Sequence, residues 1–233
     1  MNNSELIHKN SEKIQQQIKN ALPDNLSAAD INLVAVTKTV TPDIMRTLFQ
    51  NGVHHFGENR ANVLVEKQVA LADIDNELVW HFIGRLQSRQ VKTIINQIDY
   101  LHSLDRLSLA KEVQKRAKST VKCFVQVNIS GEESKAGFSP DQLNEAIKAL
   151  SQYDKVQVVG LMTMAPYDAT EAELRQQFQT LKTLQLDIMN QQHPHAPCTE
   201  VSMGMSRDFS IALQEGASFI RIGSAFFEGV TLE

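Results

Sequence analysis

Two cysteines, Cys123 and Cys198, are all that the 233 residues contain. That excludes a disulfide framework and makes a reducing, cytoplasmic compartment the expectation, in which the sequons at Asn25 and Asn128 stay silent. Proline (6) and glycine (10) are sparse and fall mostly at element boundaries, and no linker, low-complexity tract or charge block divides the chain. One domain over residues 1–233 is expected. A basic excess is also missing: 23 lysines and arginines against 27 aspartates and glutamates leave a net charge of −4, which argues against a nucleic-acid partner. No apolar run approaches the roughly 20 residues of a spanning helix. The opening MNNSELIHKNSEK lacks an apolar signal-peptide core, so no membrane contact is expected. What the chain does hold is 42% apolar residues, enough for a sizeable core.

Those residues arrive as short apolar runs alternating with longer amphipathic ones. A polar helix is expected over Ser4 to Ala21, closed by Leu22-Pro23-Asp24. Eight runs then read as strands: Leu33 to Val36, Val53 to Gly57, Leu78 to Gly84, Tyr100 to Ser103, Val121 to Ile129, Val156 to Met164, Glu200 to Met203 and Phe219 to Ser224. They are β-branched and aromatic, and several are near-continuously apolar, as parallel strands covered on both faces should be. Seven helices are expected between them. Thr41-Pro42 sets an N-cap before a proline at the first helical position, Ser139 to Gln142 and Thr170 to Glu173 are capping boxes, and Ser206 can cap a helix ending at Gly216. Strict βα alternation implies right-handed crossovers and a parallel sheet. Eight units at this length suit an α/β fold of the closed (β/α)8 TIM-type, and a doubly wound open sheet is the other architecture the pattern allows. Only FFEGVTLE follows the eighth strand, so the N-terminal helix is expected to cover the closure.

In a barrel the reactive groups sit at the C-terminal strand ends. Lys38 follows the first strand directly, which turns its amine into the barrel mouth. A lysine desolvated there becomes a nucleophile that forms Schiff bases with carbonyls, although position alone favours a strand-end lysine reaching for water. Ser202 to Ser206 and Gly223-Ser224 end the adjacent strands seven and eight. Their small residues offer either an anion nest, at the usual phosphate position in barrels, or two ordinary turns. Arg221 lies inside the apolar Phe219 to Ile222, where a guanidinium needs an acceptor, from a ligand or a neighbouring carboxylate. An amine, a phosphate nest and an inward arginine together fit a ligand with an aldehyde, a phosphate and a ring acceptor. Pyridoxal 5′-phosphate (PLP) combines all three. A cofactor-free Schiff-base aldolase would share Lys38 and the nest. Other candidates are weaker: adjacent His54 and His55 point to opposite faces of a strand, His193, His195 and Cys198 lack zinc-site spacing, and His81 reads as a satisfied strand histidine. No P-loop, dinucleotide glycine fingerprint, zincin pair or nucleophile elbow is present.

The stretches AVTKT (Ala35 to Thr39), FGENR (Phe56 to Arg60), WHFIGRLQSRQ (Trp80 to Gln90), HSLDR (His102 to Arg106), VQVNISGEESKAGF (Val125 to Phe138), GLMTMAP (Gly160 to Pro166), SMGMSRDF (Ser202 to Phe209) and RIGSAFFEG (Arg221 to Gly229) span almost the whole chain in order. On them the sequence resembles the pyridoxal phosphate homeostasis protein family, PLP-binding barrels similar to the N-terminal domain of alanine racemase. It departs mildly at Arg85, where the family commonly has proline, and at Ser224, where threonine is frequent. The resemblance implies a PLP-binding protein of vitamin B6 homeostasis that affects amino-acid and keto-acid balance without catalysis of its own. It implies Lys38 as the Schiff-base lysine, Arg221 facing the pyridine nitrogen, and Ser202, Gly223 and Ser224 on the phosphate. Asn59 would lie near the ring or its lysine, and Ser206 would add a donor. PLP-requiring apoenzymes are the expected partners and a monomer the expected state. An arginine at the pyridine nitrogen keeps that nitrogen unprotonated and the ring a weaker electron sink. The racemase relatives take a second base, a tyrosine, from an extra C-terminal domain of a partner subunit. This chain stops just after strand eight, and of its three tyrosines only Tyr167 follows a C-terminal strand end. A low-activity PLP-dependent amino-acid racemase is the alternative.

Overall fold

In the computed structural model, which describes residues 2–132 and 135–231, eight parallel strands pair in chain order and the last closes on the first. Glu133 and Ser134, two positions of the Val125 to Phe138 motif, lie outside the described residues. The strands are β1 (Asn32–Val36), β2 (His55–Glu58), β3 (Val79–Phe82), β4 (Tyr100–Leu104), β5 (Val121–Gln126), β6 (Val156–Met162), β7 (Glu200–Ser202) and β8 (Phe219–Ile222). The helices are α1 (Asn3–Ala21), then α2 (Pro42–Gln50), α3 (Ala61–Ala70), α4 (Val91–Ile94), α5 (Leu107–Arg116), α6 (Pro140–Leu150), α7 (Glu171–Asn190) and α8 (Phe209–Gln214), the last seven alternating with the strands. The closed (β/α)8 barrel is thus the architecture adopted, and the open sheet is not. Among the described residues no helix is long and apolar enough to cross a membrane.

Local chemistry starts most helices as the sequence indicates. Ser139 and Gln142 bond reciprocally at the head of α6, and Thr170 and Glu173 do so at α7. A third capping box, Asn2 with Glu5, opens α1. Pro42 opens α2, although the Thr41 side chain makes no capping bond. The start of α8 differs from expectation. Asp208, not Ser206, precedes it, because the Asp208 side chain accepts from Met205 N in a tight turn while the Ser206 hydroxyl faces the end of β8.

The closure between β8 and β1 is covered by α1. Its buried stripe includes Ile7, Ile14 and Ile18, and it packs against α2 and α8, in the gap beside β8. Asn10 Nδ2 donates to the carbonyls of Phe226 and Glu228, each at 3.0 Å. Asn3 and Thr231 exchange two further bonds, at 2.9 and 3.1 Å.

Strand alternation divides the interior into two layers. The large core lies between the strands and the helices, and includes Ala35, Phe56, Leu101 and Val125. A smaller cluster of Val34, Phe124, Val159, Met162 and Phe219 fills the barrel, with Tyr100 against it. Val34 pairs with His55 on one side and Arg221 on the other, so all three face inward. The barrel interior is therefore partly polar. His81, His102 and Ser202 are fully buried there, with Arg221 almost so. Tyr100 stacks on His81 with ring centroids 4.8 Å apart, Phe124 stacks on His102 at 4.4 Å, and Phe219 meets both edge-on. Burial is the main cause that holds both imidazoles well below the ordinary histidine range, and the neighbouring histidines add to it.

Both rings are thus neutral in the folded protein, while the unfolded chain takes up protons from about pH 6.5 downward. Their stabilising contribution is complete above that pH and is lost as the pH falls, at roughly 1 kcal/mol per unit for each ring. Urea unfolding between about pH 7 and 5.5 should therefore show a falling midpoint, and His102→Gln should flatten the slope. A midpoint independent of pH over that window would contradict two neutral buried imidazoles.

Candidate binding site at the barrel mouth

The same alternation that turns Val34 and Val36 inward carries Lys38 to the inner side of the mouth, and β8 brings Arg221 and then Gly223 alongside. A cavity of about 650 Å³ opens there. Val36, Lys38 and Thr39 line it after β1; Met205, Ser206 and Arg207 after β7; Arg221, Gly223, Ser224 and Phe227 from β8 onward; and Tyr167 after β6. Five sequence-predicted residues, Lys38, Ser206, Arg221, Gly223 and Ser224, share this one cavity. Three cations line it and no carboxylate does, so it favours an anion.

Lys38 is exposed, and among the described residues it makes no hydrogen bond or ion pair. Of the two readings that position allowed, the strand-end amine reaching for water is the one adopted, and it stands wet at the rim. The residue before it is held firmly. The Thr37 hydroxyl donates to Glu58 Oε1 at 2.6 Å, and Lys67 Nζ donates both to that oxygen at 2.7 Å and to the Thr37 carbonyl at 2.6 Å. Glu58 is fully buried and Lys67 nearly so, which makes this an ion pair in the layer between β2 and α3. Glu58 Oε2 has no partner among the described residues.

Arg221 donates to Ser202 Oγ at 2.5 Å and to the Thr163 carbonyl at 3.0 Å. No carboxylate pairs with it; burial lowers its pKa to about 10, with Asp208 opposing, so it stays charged at neutral pH. Ser202 is fully buried between Arg221 and His102 and does not line the cavity. Asn59, at the end of β2, is half-buried and does not line it either. Its backbone lies against Gly84, where an added Cβ would come within 2.3 Å of the Asn59 carbonyl oxygen.

Ser206 Oγ accepts from the amides of Gly223 and Ala225 at 3.2 and 3.3 Å, which leaves its own hydrogen for a ligand. Gly204, at φ +89°, lets α8 pack close beneath this loop, since a Cβ there would meet the Ala212 methyl at 2.6 Å. Tyr167 is 81% exposed, and the Arg207 guanidinium stacks 3.9 Å from its ring centroid. Elsewhere the sequence candidates stay separate. Burial pushes the thiols of Cys123 and Cys198 up to about 12, and among the described residues no group of three His, Cys, Asp or Glu side chains could hold a metal.

The family model of the alanine racemase N-terminal domain matches residues 10–229. The pyridoxal phosphate homeostasis protein of Aquifex aeolicus is 37% identical over 230 residues, 97% of this chain and 98% of that one. This chain belongs to the pyridoxal phosphate homeostasis protein family. Among solved structures, PipY of Synechococcus elongatus with PLP bound is 33% identical, with a TM-score of 0.83 covering 95% of this chain and 99% of that one. The same protein without PLP gives 34% and 0.85. Alanine racemase from Corynebacterium glutamicum, 16% identical with a TM-score of 0.71 over 97% of this chain and 63% of that one, shares the fold.

In this homeostasis-family chain the Glu58–Lys67 pair is the feature that reading the sequence missed. Its only signal was a glutamate after glycine at a strand end, nine residues before a lysine on a helix. Removing one partner strands a buried charge, so Lys67→Met should cost about 3 kcal/mol in urea unfolding. Glu58→Gln keeps an acceptor for Thr37 but leaves the buried Lys67 ammonium uncompensated, so it should cost a comparable amount. A loss below about 1 kcal/mol in both variants would show that the pair is not ionised in the folded protein.

Proposed function

We propose that this chain is a PLP-binding protein of vitamin B6 homeostasis, cytoplasmic and monomeric, acting over residues 1–233 as one unit. The observation that carries this reading is the gathering of Lys38, Ser206, Arg221, Gly223 and Ser224 around one anion-favouring cavity. Family membership and the PLP-bound PipY structure support it. The donor set fits PLP group by group. The Lys38 amine is the covalent anchor for the aldehyde carbon, formed with loss of one water. The Ser206 and Ser224 hydroxyls and the Gly223-Ser224 amides are donors for the phosphate. Arg221 donates to the pyridine nitrogen. Ser202 acts through Arg221, and Asn59, which does not line the cavity, would have to turn toward it to border the ring or its lysine.

When bound, PLP supplies an electrophilic aldehyde on an electron-withdrawing ring. An arginine at the ring nitrogen weakens that withdrawal compared with a carboxylate, which suits holding the cofactor rather than turning over a substrate. PLP-requiring apoenzymes are the partners this reading implies. A weak amino-acid racemase is the second reading, and one observation favours it: Tyr167 borders the cavity that holds Lys38. It requires exchange of an amino acid's α-proton in heavy water that is lost in both Lys38→Ala and Tyr167→Phe.

Borohydride reduction of the PLP-loaded protein, followed by peptide mass analysis, tests the anchor. The pyridoxyl mass is expected on Lys38 and is absent from Lys38→Ala; a label on another lysine overturns the assignment. Delivery is tested by reactivating a PLP-requiring apoenzyme with the loaded protein against equal free PLP. Faster reactivation by the loaded protein is expected, and equal rates would leave storage as the role.

A further inference from the structure

Three histidines line up inside the barrel and end on Arg221. His55 Nδ1 meets His81 Nε2 at 3.0 Å, His81 Nδ1 meets His102 Nε2 at 2.9 Å, and His102 Nδ1 meets Ser202 Oγ at 2.9 Å. Ser202 Oγ receives Arg221 Nη1. The string begins at the half-buried first residue of β2, at the N-terminal end of the barrel, and finishes beside the cavity at the opposite end.

A neutral imidazole carries one N–H and one bare nitrogen, so each ring-to-ring contact fixes the tautomer of the next. Two directions exist. In the first, the Ser202 hydroxyl donates to His102 Nδ1, and His102, His81 and His55 each carry hydrogen on Nε2. In the second, every bond reverses, Ser202 Oγ accepts from both His102 and Arg221, and the hydroxyl hydrogen has no partner recorded among the described residues. Buried polar groups are satisfied in native proteins, and the first direction satisfies each one.

We propose that His55, His81, His102 and Ser202 are positioning residues for Arg221, and that their common direction links protonation of His55 to the grip on Arg221 at the other end of the barrel. A proton reaching His55 must go on Nδ1, the nitrogen that accepts from His81. The bond then survives only if the whole string reverses, which places a second donor on Ser202 Oγ in competition with Arg221. His55 is the entry point because it alone of the three is not fully buried. Burial is the main cause that opposes its protonation, the charge of neighbouring His54 adds to it and Asp99 favours it, while the ring that meets its Nδ1 is His81. Tyr100 stacks on His81, and Lys122 Nζ lies 5.0 Å from the centroid of the Tyr100 ring. Arg221 opposes charge on His102, and Asp208 lies near Arg221.

The consequence for PLP rests on Arg221 meeting the pyridine nitrogen; the string itself does not. Long-range nitrogen–proton NMR of the ligand-free protein with labelled histidines tests the string directly. All three rings should be Nε2–H at about pH 8. On acidification His81 and His102 should shift with the midpoint of His55 while remaining uncharged. An Nδ1–H tautomer in His81 or His102 at about pH 8, or no shift as His55 titrates, overturns the proposal. The PLP dissociation constant is then compared at about pH 8 and 5.5 in the wild type and in His55→Asn, whose Oδ1 accepts from His81 without titrating. The wild type should weaken roughly fivefold more than the variant. Equal weakening overturns the link to Arg221. If PLP does not label Lys38 at all, the cofactor reading fails while the NMR still decides the string.

Discussion

A guanidinium brings five donors and a fixed charge, and inside a parallel barrel most neighbours are apolar. Arg221 occupies that position, 4% exposed, on the inner face of β8. Much of the barrel interior follows from the need to satisfy it. The Thr163 carbonyl takes one donor, Ser202 takes another, and Ser202 in turn needs His102. His102 cannot end the chain of requirements, because its second nitrogen is buried too, and so the polar path runs on through His81 to the half-buried His55. The aromatic rings of Tyr100, Phe124 and Phe219 pack against the His81 and His102 imidazoles, keeping those two dry and neutral. One charge near the mouth thereby dictates a polar column where most barrels place branched aliphatic layers.

The mouth itself is organised by a buried charge pair on the other side of the β1 wall. Glu58 and Lys67 hold Thr37 by both its hydroxyl and its carbonyl, which fixes the backbone from which Lys38 projects. The lysine thus combines a rigid base with a free, hydrated amine. Ser206 organises the opposite wall by collecting the amides of Gly223 and Ala225. The two walls meet around a cavity whose charge is wholly positive.

The strands were legible because burial on both faces removes the polar alternation that an exposed sheet would show, and the helices because capping boxes are local. Lys38, Ser206, Gly223, Ser224 and Arg221 could be placed together because strand ends at one side of a barrel converge. The histidine column was not legible. His55, His81 and His102 lie on separate strands, and nothing in their spacing reveals that shared inward faces and the stagger between strands bring their nitrogens into sequence. Ser202 was misplaced for a related reason: it ends its strand, but facing inward it sits below the cavity, bonded to Arg221, instead of bordering it. The exposure of Lys38 depends on where β1 stops, a one- or two-residue matter that pattern reading does not resolve.

The seam between α1 and the segment after β8 joins the two parts of the chain farthest apart in sequence. During synthesis α1 leaves the ribosome before the other described elements, yet the groove that receives Ile7, Ile14 and Ile18 is incomplete until α8 has emerged. Its apolar stripe must therefore wait, unmatched, through the translation of nearly every other element. The nascent chain consequently carries the apolar stripe of α1 uncovered through most of this synthesis, and chaperone capture there has a long window in which to act.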